Sequence, residues 1–270
     1  MQRLRRLFAA TLLASTVSIA SAATGGADPA LLSAVASPAR SPKAVARDAA
    51  RHPVEELTFF GITPTMTVVE LWPGSGYWTD ILGAYLAKSG HYYVAFPVPG
   101  NAGEDAEANK LRARIDSEKG RLGNVNETTL GSRHFDFAPA GSADLVLTFR
   151  NLHNWMDGGY AVEALAAAFQ ALKPGGILGI EEHRGSNDKP QDPKAKNGYV
   201  RQDFTIDLAK KAGFEYVGSS EVNANPRDTK DWVDGVWTLP PTLSQGQKDR
   251  ARYVAVGEAD NYVMKFRKPL

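Results

Sequence analysis

Cysteine is absent from the 270 residues, which excludes disulfides and thiol chemistry. Neither sign of charge is in excess, with 31 Lys and Arg against 30 Asp and Glu. Nothing electrostatic therefore favours nucleic acid or an anionic lipid surface as a partner. Long apolar runs are missing beyond the first 23 residues. No internal repeat occurs, and there is no G-x-S-x-G of a hydrolase elbow and no closely spaced H-x-x-x-H metal motif.

The first residues differ from the rest. Arg3, Arg5 and Arg6 form a basic n-region, Leu7–Ala20 an apolar h-region, and Ala20-Ser21-Ala22 a small-residue cleavage signal. The apolar run is too short to span a bilayer comfortably. Residues 1–22 read as a secretory signal peptide, cut after Ala22 or Ala23. The following residue is not cysteine, so no lipoprotein anchor is expected. The expected destination is the periplasm or the medium, with no membrane contact after cleavage.

Residues 23–42 are rich in Ala, Ser, Gly and Pro and read as a flexible leader, with a short helix around Leu31–Val35. Residues 43–270 then read as a single α/β domain. Lys43–Phe60 predicts one or two helices broken at His52-Pro53. Their charged residues Arg47, Asp48, Arg51, Glu55 and Glu56 lie either over the mouth of a site or on a solvated face. Val68–Leu71 is a buried strand running into Gly74-Ser75-Gly76, and an amphipathic helix through Ile81, Leu82, Tyr85 and Leu86 follows. Further strands are expected at His91–Phe96, within Asn124–Phe137, at Asp144–Phe149 and at Ile177–Ile180. Helices are expected at Ala161–Leu172 and Val200–Ala212. Ser186–Gly198 is a polar loop long enough for a lid, and 223–246 an irregular insertion. Phe214–Val222 and Tyr262–Arg267 close the chain as an antiparallel hairpin. Strands alternating with helices predict a doubly wound, Rossmann-like, mostly parallel sheet covered on both faces.

The order of VVELWPGSGYWTDIL, DLVLTFRNLHNW and ALKPGGILGIEEH resembles the class I S-adenosylmethionine-dependent methyltransferases over about Lys43 to Pro269. More narrowly, the signal peptide, FRNLHNW, EVNANPRDT and GVWTLPP resemble a bacterial group of exported methyltransferase-like proteins. The resemblance implies S-adenosylmethionine as cofactor and a small molecule as substrate. It places Glu70 at the acidic position of the first motif, Gly74, Ser75 and Gly76 at the cofactor's amino-acid end, and Asn151 at a methionine contact. Two departures stand out. Trp72 replaces the first glycine of the run, and Phe96 stands where the family carries the carboxylate that holds the ribose hydroxyls.

In an open α/β sheet, ligands bind outside the carboxyl ends of the strands. His153 and His183 follow adjacent strands, so they can face one another as acid or base beside Glu182, with Arg184 or Arg150 holding an anionic substrate. Tyr77, Trp155 and Tyr199 are candidates for an aromatic wall, and Asn154 for a polar contact. A His153, His183 and Glu182 or Asp157 metal set is the weaker alternative, and no metal is expected. Three functions remain open from the residues: methyl transfer, another enzyme on the same scaffold (lyase, isomerase or metal-assisted), and a ligand-binding protein. Mass spectrometry of the exported protein is expected to find Ala23 or Thr24 at its N-terminus. An intact Met1 in that fraction would refute the signal peptide.

Overall fold

The computed structural model describes residues 26–270. The signal peptide and the first residues of the expected leader lie outside the described residues. Helix α1 (Pro29–Val35) begins at Asp28, whose side chain caps the backbone N–H of Ala30 and also accepts a hydrogen bond from Tyr85 Oη at 2.6 Å. Its Leu31 and Ala34 are buried against the helix that carries Tyr85. This half of the expected leader is therefore folded onto the domain, because an apolar pair at i, i+3 gives a short helix one sticky face.

Lys43–Phe60 divides into three short helices, α2 (Pro42–Val45), α3 (Asp48–Arg51) and α4 (Pro53–Phe60), where one or two were expected. His52 takes a left-handed backbone (φ 38°) and Pro53 opens α4, so the chain turns sharply there. The turn aims Arg51 and Glu56 inward, and both are buried.

The sheet holds β1 (Thr67–Leu71), β2 (His91–Pro97), β3 (Val125–Leu130), β4 (Ala143–Phe149), β5 (Leu172–His183), β6 (Glu215–Ser220) and β7 (Asn261–Arg267). Their order is β3-β2-β1-β4-β5-β7-β6, with β7 antiparallel to both neighbours and the other pairings parallel. This is the expected doubly wound sheet of methyltransferase type with a closing antiparallel hairpin. Helices α5 (Tyr77–Leu86), α6 (Ala102–Ser117) and α7 (Lys119–Leu122) link the strands of one half. Helices α8 (Leu152–Gly158), α9 (Ala161–Ala171) and α10 (Gln202–Lys211) serve the other, and α11 (Arg250–Val256) precedes β7. Val200, expected inside α10, instead bridges Arg184 ahead of the helix.

The strands alternate as a two-sided sheet requires. Val68, Val94, Phe96, Leu145, Leu147 and Phe149 face the layer of α1, α4, α5 and α6. Val69, Leu71, Ala95, Val146, Leu178 and Ile180 face that of α8, α9 and α10. A smaller apolar cluster of Tyr199, Val236, Leu239, Tyr253 and Ala259 belongs to the late loops. The connections leave parallel β1 and β4 toward opposite edges of the sheet, so a crevice opens at their carboxyl ends. Leu31→Ala is expected to lower stability by about 2–5 kcal/mol, read by urea unfolding. A change near zero would mean that α1 is not part of the fold.

Candidate active site

A cavity of about 260 Å³ lies at the carboxyl ends of β1, β4 and β5. The glycine turn after β1 forms one wall and the segment after β4 the floor. Arg47 and Arg51 close one side, and Val236, Trp237 and Pro240–Thr242 of the late loop cover it.

Two non-glycine residues with left-handed backbone stand at adjacent strand ends, Trp72 (φ 53°) and Arg150 (φ 62°), and both line the cavity. Such conformations cost about 1–3 kcal/mol each and persist only where the surroundings hold them. Trp72 N–H donates to Ala95 O at 2.8 Å and its indole Nε1 to Leu130 O at 2.9 Å, with an edge contact to Trp155. Arg150 N–H donates to Glu181 O at 2.7 Å, and its guanidinium to Glu258 at 2.8 Å. Asn151 joins the two ends, its amide donating to Leu71 O at 3.0 Å and Trp72 O at 3.2 Å.

His153 and His183 meet at the cavity with ring centroids 5.4 Å apart. Glu182 accepts from His153 Nδ1 at 2.9 Å, from His153 backbone N–H at 3.1 Å and from His183 N–H at 2.8 Å. His183 Nδ1 donates to Asn261 Oδ1 at 2.6 Å. Each Nδ1 is thus committed to a fixed acceptor, which leaves Nε2 of each ring as its free nitrogen. Burial, the neighbouring His153 and Arg150 hold His183 well below the usual imidazole range, so it is neutral and its Nε2 carries a lone pair. One ligand atom from each of His153, Glu182 and His183 lies within 4.8 Å of the others. The carboxylate of that trio already serves three N–H groups, and it orients the imidazole as carboxylates commonly do. Asp157, the other metal candidate, instead pairs with Lys196 at 2.5 Å.

Three arginines, Arg47, Arg51 and Arg150, also line the cavity. Arg51 is buried, pairs with Glu181 at 3.1 Å and lies over the ring of Tyr77 at 4.3 Å. Burial, with Arg150 nearby, lowers its pKa to about 10, so it stays charged at neutral pH. Arg47 and Arg150 share Glu258, at 2.6 Å and 2.8 Å. Burial opposes the ionisation of Glu258, but Arg47 and Arg150 outweigh it and bring its pKa to about 2. Glu56 is pushed well above the carboxylate range by burial and by Glu181, so it is protonated, with Asn223 donating to it at 2.6 Å. Asn223 and Asn261 also donate to Glu181.

Of the residues expected at the site, Glu70, Trp72, Gly74, Ser75, Tyr77, Arg150, Asn151, His153, Asn154 and His183 line the cavity. Glu182 stands behind the histidines. Gly76 opens α5 at φ 86°, where an added Cβ would meet Arg114 and Leu111, so its role is the turn itself. Phe96 is fully buried in the α5–α6 layer with the Arg112 guanidinium 3.8 Å from its ring centre, away from the cavity. Trp155 is core beneath Trp72. Tyr199 turns to Asp228, and Arg184 is held by Glu221, Asp260 and Gln202. Neither reaches the cavity. Glu258 and Asn261 had no signal in local sequence, because β7 and its approach reach the site only through the antiparallel return. The GVWTLPP segment, marked in the sequence, does line the cavity through Val236, Trp237, Pro240 and Pro241.

The residues were weighed against S-adenosylmethionine. At the amino-acid end they fit: a Cβ added at Gly74 would meet nothing within 4 Å, so backbone is open to the cavity there. Glu70 uses only Oε2 internally, toward Thr79 and Tyr92. At the ribose end Phe96 offers no acceptor.

No protein-family model matches the sequence, and no curated protein matches it. Solved structures share the fold. A SAM-dependent methyltransferase from Aquifex aeolicus superposes with a TM-score of 0.56 at 15% identity, covering 84% of this chain and 93% of that one. The [4+2]-cyclase SpnF gives 0.53 at 16%, covering 81% and 82%. An O-methyltransferase family protein from Burkholderia thailandensis gives 0.51 at 17%, covering 84% and 57%. At these identities the likeness is one of fold, that of the class I methyltransferases broadly.

Burial pushes Glu70 up from 4.5 to about 7, with the Tyr92 and Thr79 hydrogen bonds working the other way. Folded protein therefore holds a proton that unfolded chain has released between those two values. The resulting stabilisation is complete below about pH 4.5 and disappears as pH rises through about 7. Glu70→Gln is expected to remove that fall, on the order of 3 kcal/mol, in urea unfolding at matched pH values. Parallel pH curves for the two proteins would contradict it.

Proposed function

We propose that this chain is an exported enzyme that transfers a methyl group from S-adenosylmethionine to a small-molecule acceptor. The observation that carries the reading is the position of two imidazole Nε2 atoms, fixed by Glu182 and Asn261, beside the open Gly74–Ser75 backbone. Bound there, the cofactor would supply an electrophilic methyl group. Gly74, Ser75, Glu70 and Asn151 would hold its amino-acid end. The chain's own task is then alignment and proton removal. His153 is oriented by Glu182 through both its backbone and its ring, so Nε2 is the atom that takes the acceptor's proton. Neutral His183 stands beside it as a second acceptor. Tyr77, Trp78 and Trp237 supply the apolar surface, and the late-loop cover limits access of water. The N-terminal charge pattern supports export to the periplasm or the medium, and no described helix is long and apolar enough to cross a membrane.

A second reading has its own observation. Phe96 turns away from the cavity, so nothing charged at the end of β2 receives a ribose. The two histidines would then act as acid and base in a lyase or isomerase reaction without the cofactor. The similarity to a protein described as a [4+2]-cyclase supports the capacity of this fold for other reactions.

The test combines calorimetry with S-adenosylhomocysteine and transfer of a labelled methyl group to a panel of phenols, alcohols and amines. Binding, and transfer reduced by about 10²–10⁴-fold in His153→Ala with S-adenosylhomocysteine affinity retained, is the expected result. Absence of binding at millimolar concentration would sink methyl transfer in favour of the second reading.

A further inference from the structure

The charges around the cavity are sorted by depth. Arg47, Arg51 and Arg150 line it, whereas the carboxylates that hold them, Glu181 and Glu258, stand behind and do not line it. The inner surface is therefore cationic although the cluster as a whole is paired. Glu70, which does line it, spends one oxygen on Thr79 and Tyr92. Arg51 is 3% exposed and its Nε–H has no hydrogen-bond partner. A buried guanidinium donor left unmatched is costly, so the Arg51 group holds its full charge beside the cavity with little internal compensation beyond Glu181. Arg150 spends one terminal nitrogen on Glu258, and no other hydrogen bond of its guanidinium occurs among the described residues. It also carries the left-handed backbone that turns it toward the cavity, on the segment that continues through Asn151 to His153.

We propose that the small molecule taken by this cavity is a carboxylic acid, with its carboxylate received by Arg150 and Arg51. Its role as methyl acceptor rests on the reading above; its charge does not. Planar guanidinium donors match a carboxylate two bonds at a time, which fixes orientation as well as position. Tyr77, Trp78, Phe149 and Trp237 also line the cavity with the arginines and give apolar surface for the body of an aryl acid. With the acid end held there, the rest of the molecule extends toward His153 and His183.

The probes are 4-hydroxybenzoate and 4-hydroxybenzamide, which share ring and hydroxyl and differ in charge. Each is titrated calorimetrically into the full chain, with and without saturating S-adenosylhomocysteine. The acid is expected to bind at least about tenfold more tightly than the amide, a difference of ~1.4 kcal/mol, in both conditions. In Arg150→Gln the preference is expected to fall below about twofold, while Arg150→Lys restores part of it. A preference that vanishes when S-adenosylhomocysteine is present would assign the arginines to the cofactor's own carboxylate and overturn the proposal. Equal affinities for acid and amide, or no binding of either at about 10 mM, would also overturn it. These wild-type comparisons decide the matter even where the Arg150 variants fail to fold. If the chain binds no S-adenosylhomocysteine yet prefers the acid, methyl transfer fails and the acid site stands.

Discussion

Burial of charge at the carboxyl edge of the sheet is the constraint on which the rest of the structure depends. Arg51, Glu56, Glu181 and Glu182 are buried there, and an unpaired ion in such a place would cost several kcal/mol. The carboxylates are therefore matched from different parts of the chain: Glu181 by Arg51 from the turn before α4 and by Asn261 from the start of β7, Glu56 by Asn223 from the loop after β6, and Glu182 by His153 from α8. Protonation removes the remaining conflict, since Glu56 beside Glu181 is held in its neutral form. The pairing explains why short helices α3 and α4, which have little helical stability of their own, occupy a defined place. They are pinned by what their side chains must meet.

The same constraint decides how much could be read from sequence. Strand–glycine–helix at Val68–Leu86, KPGG ahead of Ile177 and the closing hairpin are local patterns of period and turn, and they gave the sheet and its winding correctly. The residues at strand ends, from Glu70 to Arg150 and His153, were legible for the same reason: topology alone puts them at one edge. Side-chain direction was not. Phe96, Tyr199 and Arg184 lie at or near strand ends and still turn elsewhere, Phe96 because alternation along β2 sends it into the α5–α6 layer. Arg47 and Arg51 carried two readings, site mouth or solvated face, and only tertiary pairing with Glu258 and Glu181 separates them.

Trp72 shows how one residue changes the meaning of a motif without changing the fold. The position demands a left-handed backbone, which glycine adopts freely and tryptophan does not. The indole is retained there by a hydrogen bond to the end of β3 and an edge contact with Trp155. It thereby ties the ends of β1 and β3 together across β2. The cavity beside the glycine turn is consequently lined by an indole where a glycine would leave it open.

Strand β7 is the last element of the chain, yet it inserts between β5 and β6 and delivers Asn261 to His183. Glu258, which gathers Arg47 and Arg150, arrives on the same return. Asn261 is the partner of His183 Nδ1 among the described residues, so the tautomer of that ring is set from β7. One of the two imidazoles thus owes its fixed orientation to the strand that follows every other in the chain, whereas the other is held by Glu182 of β5.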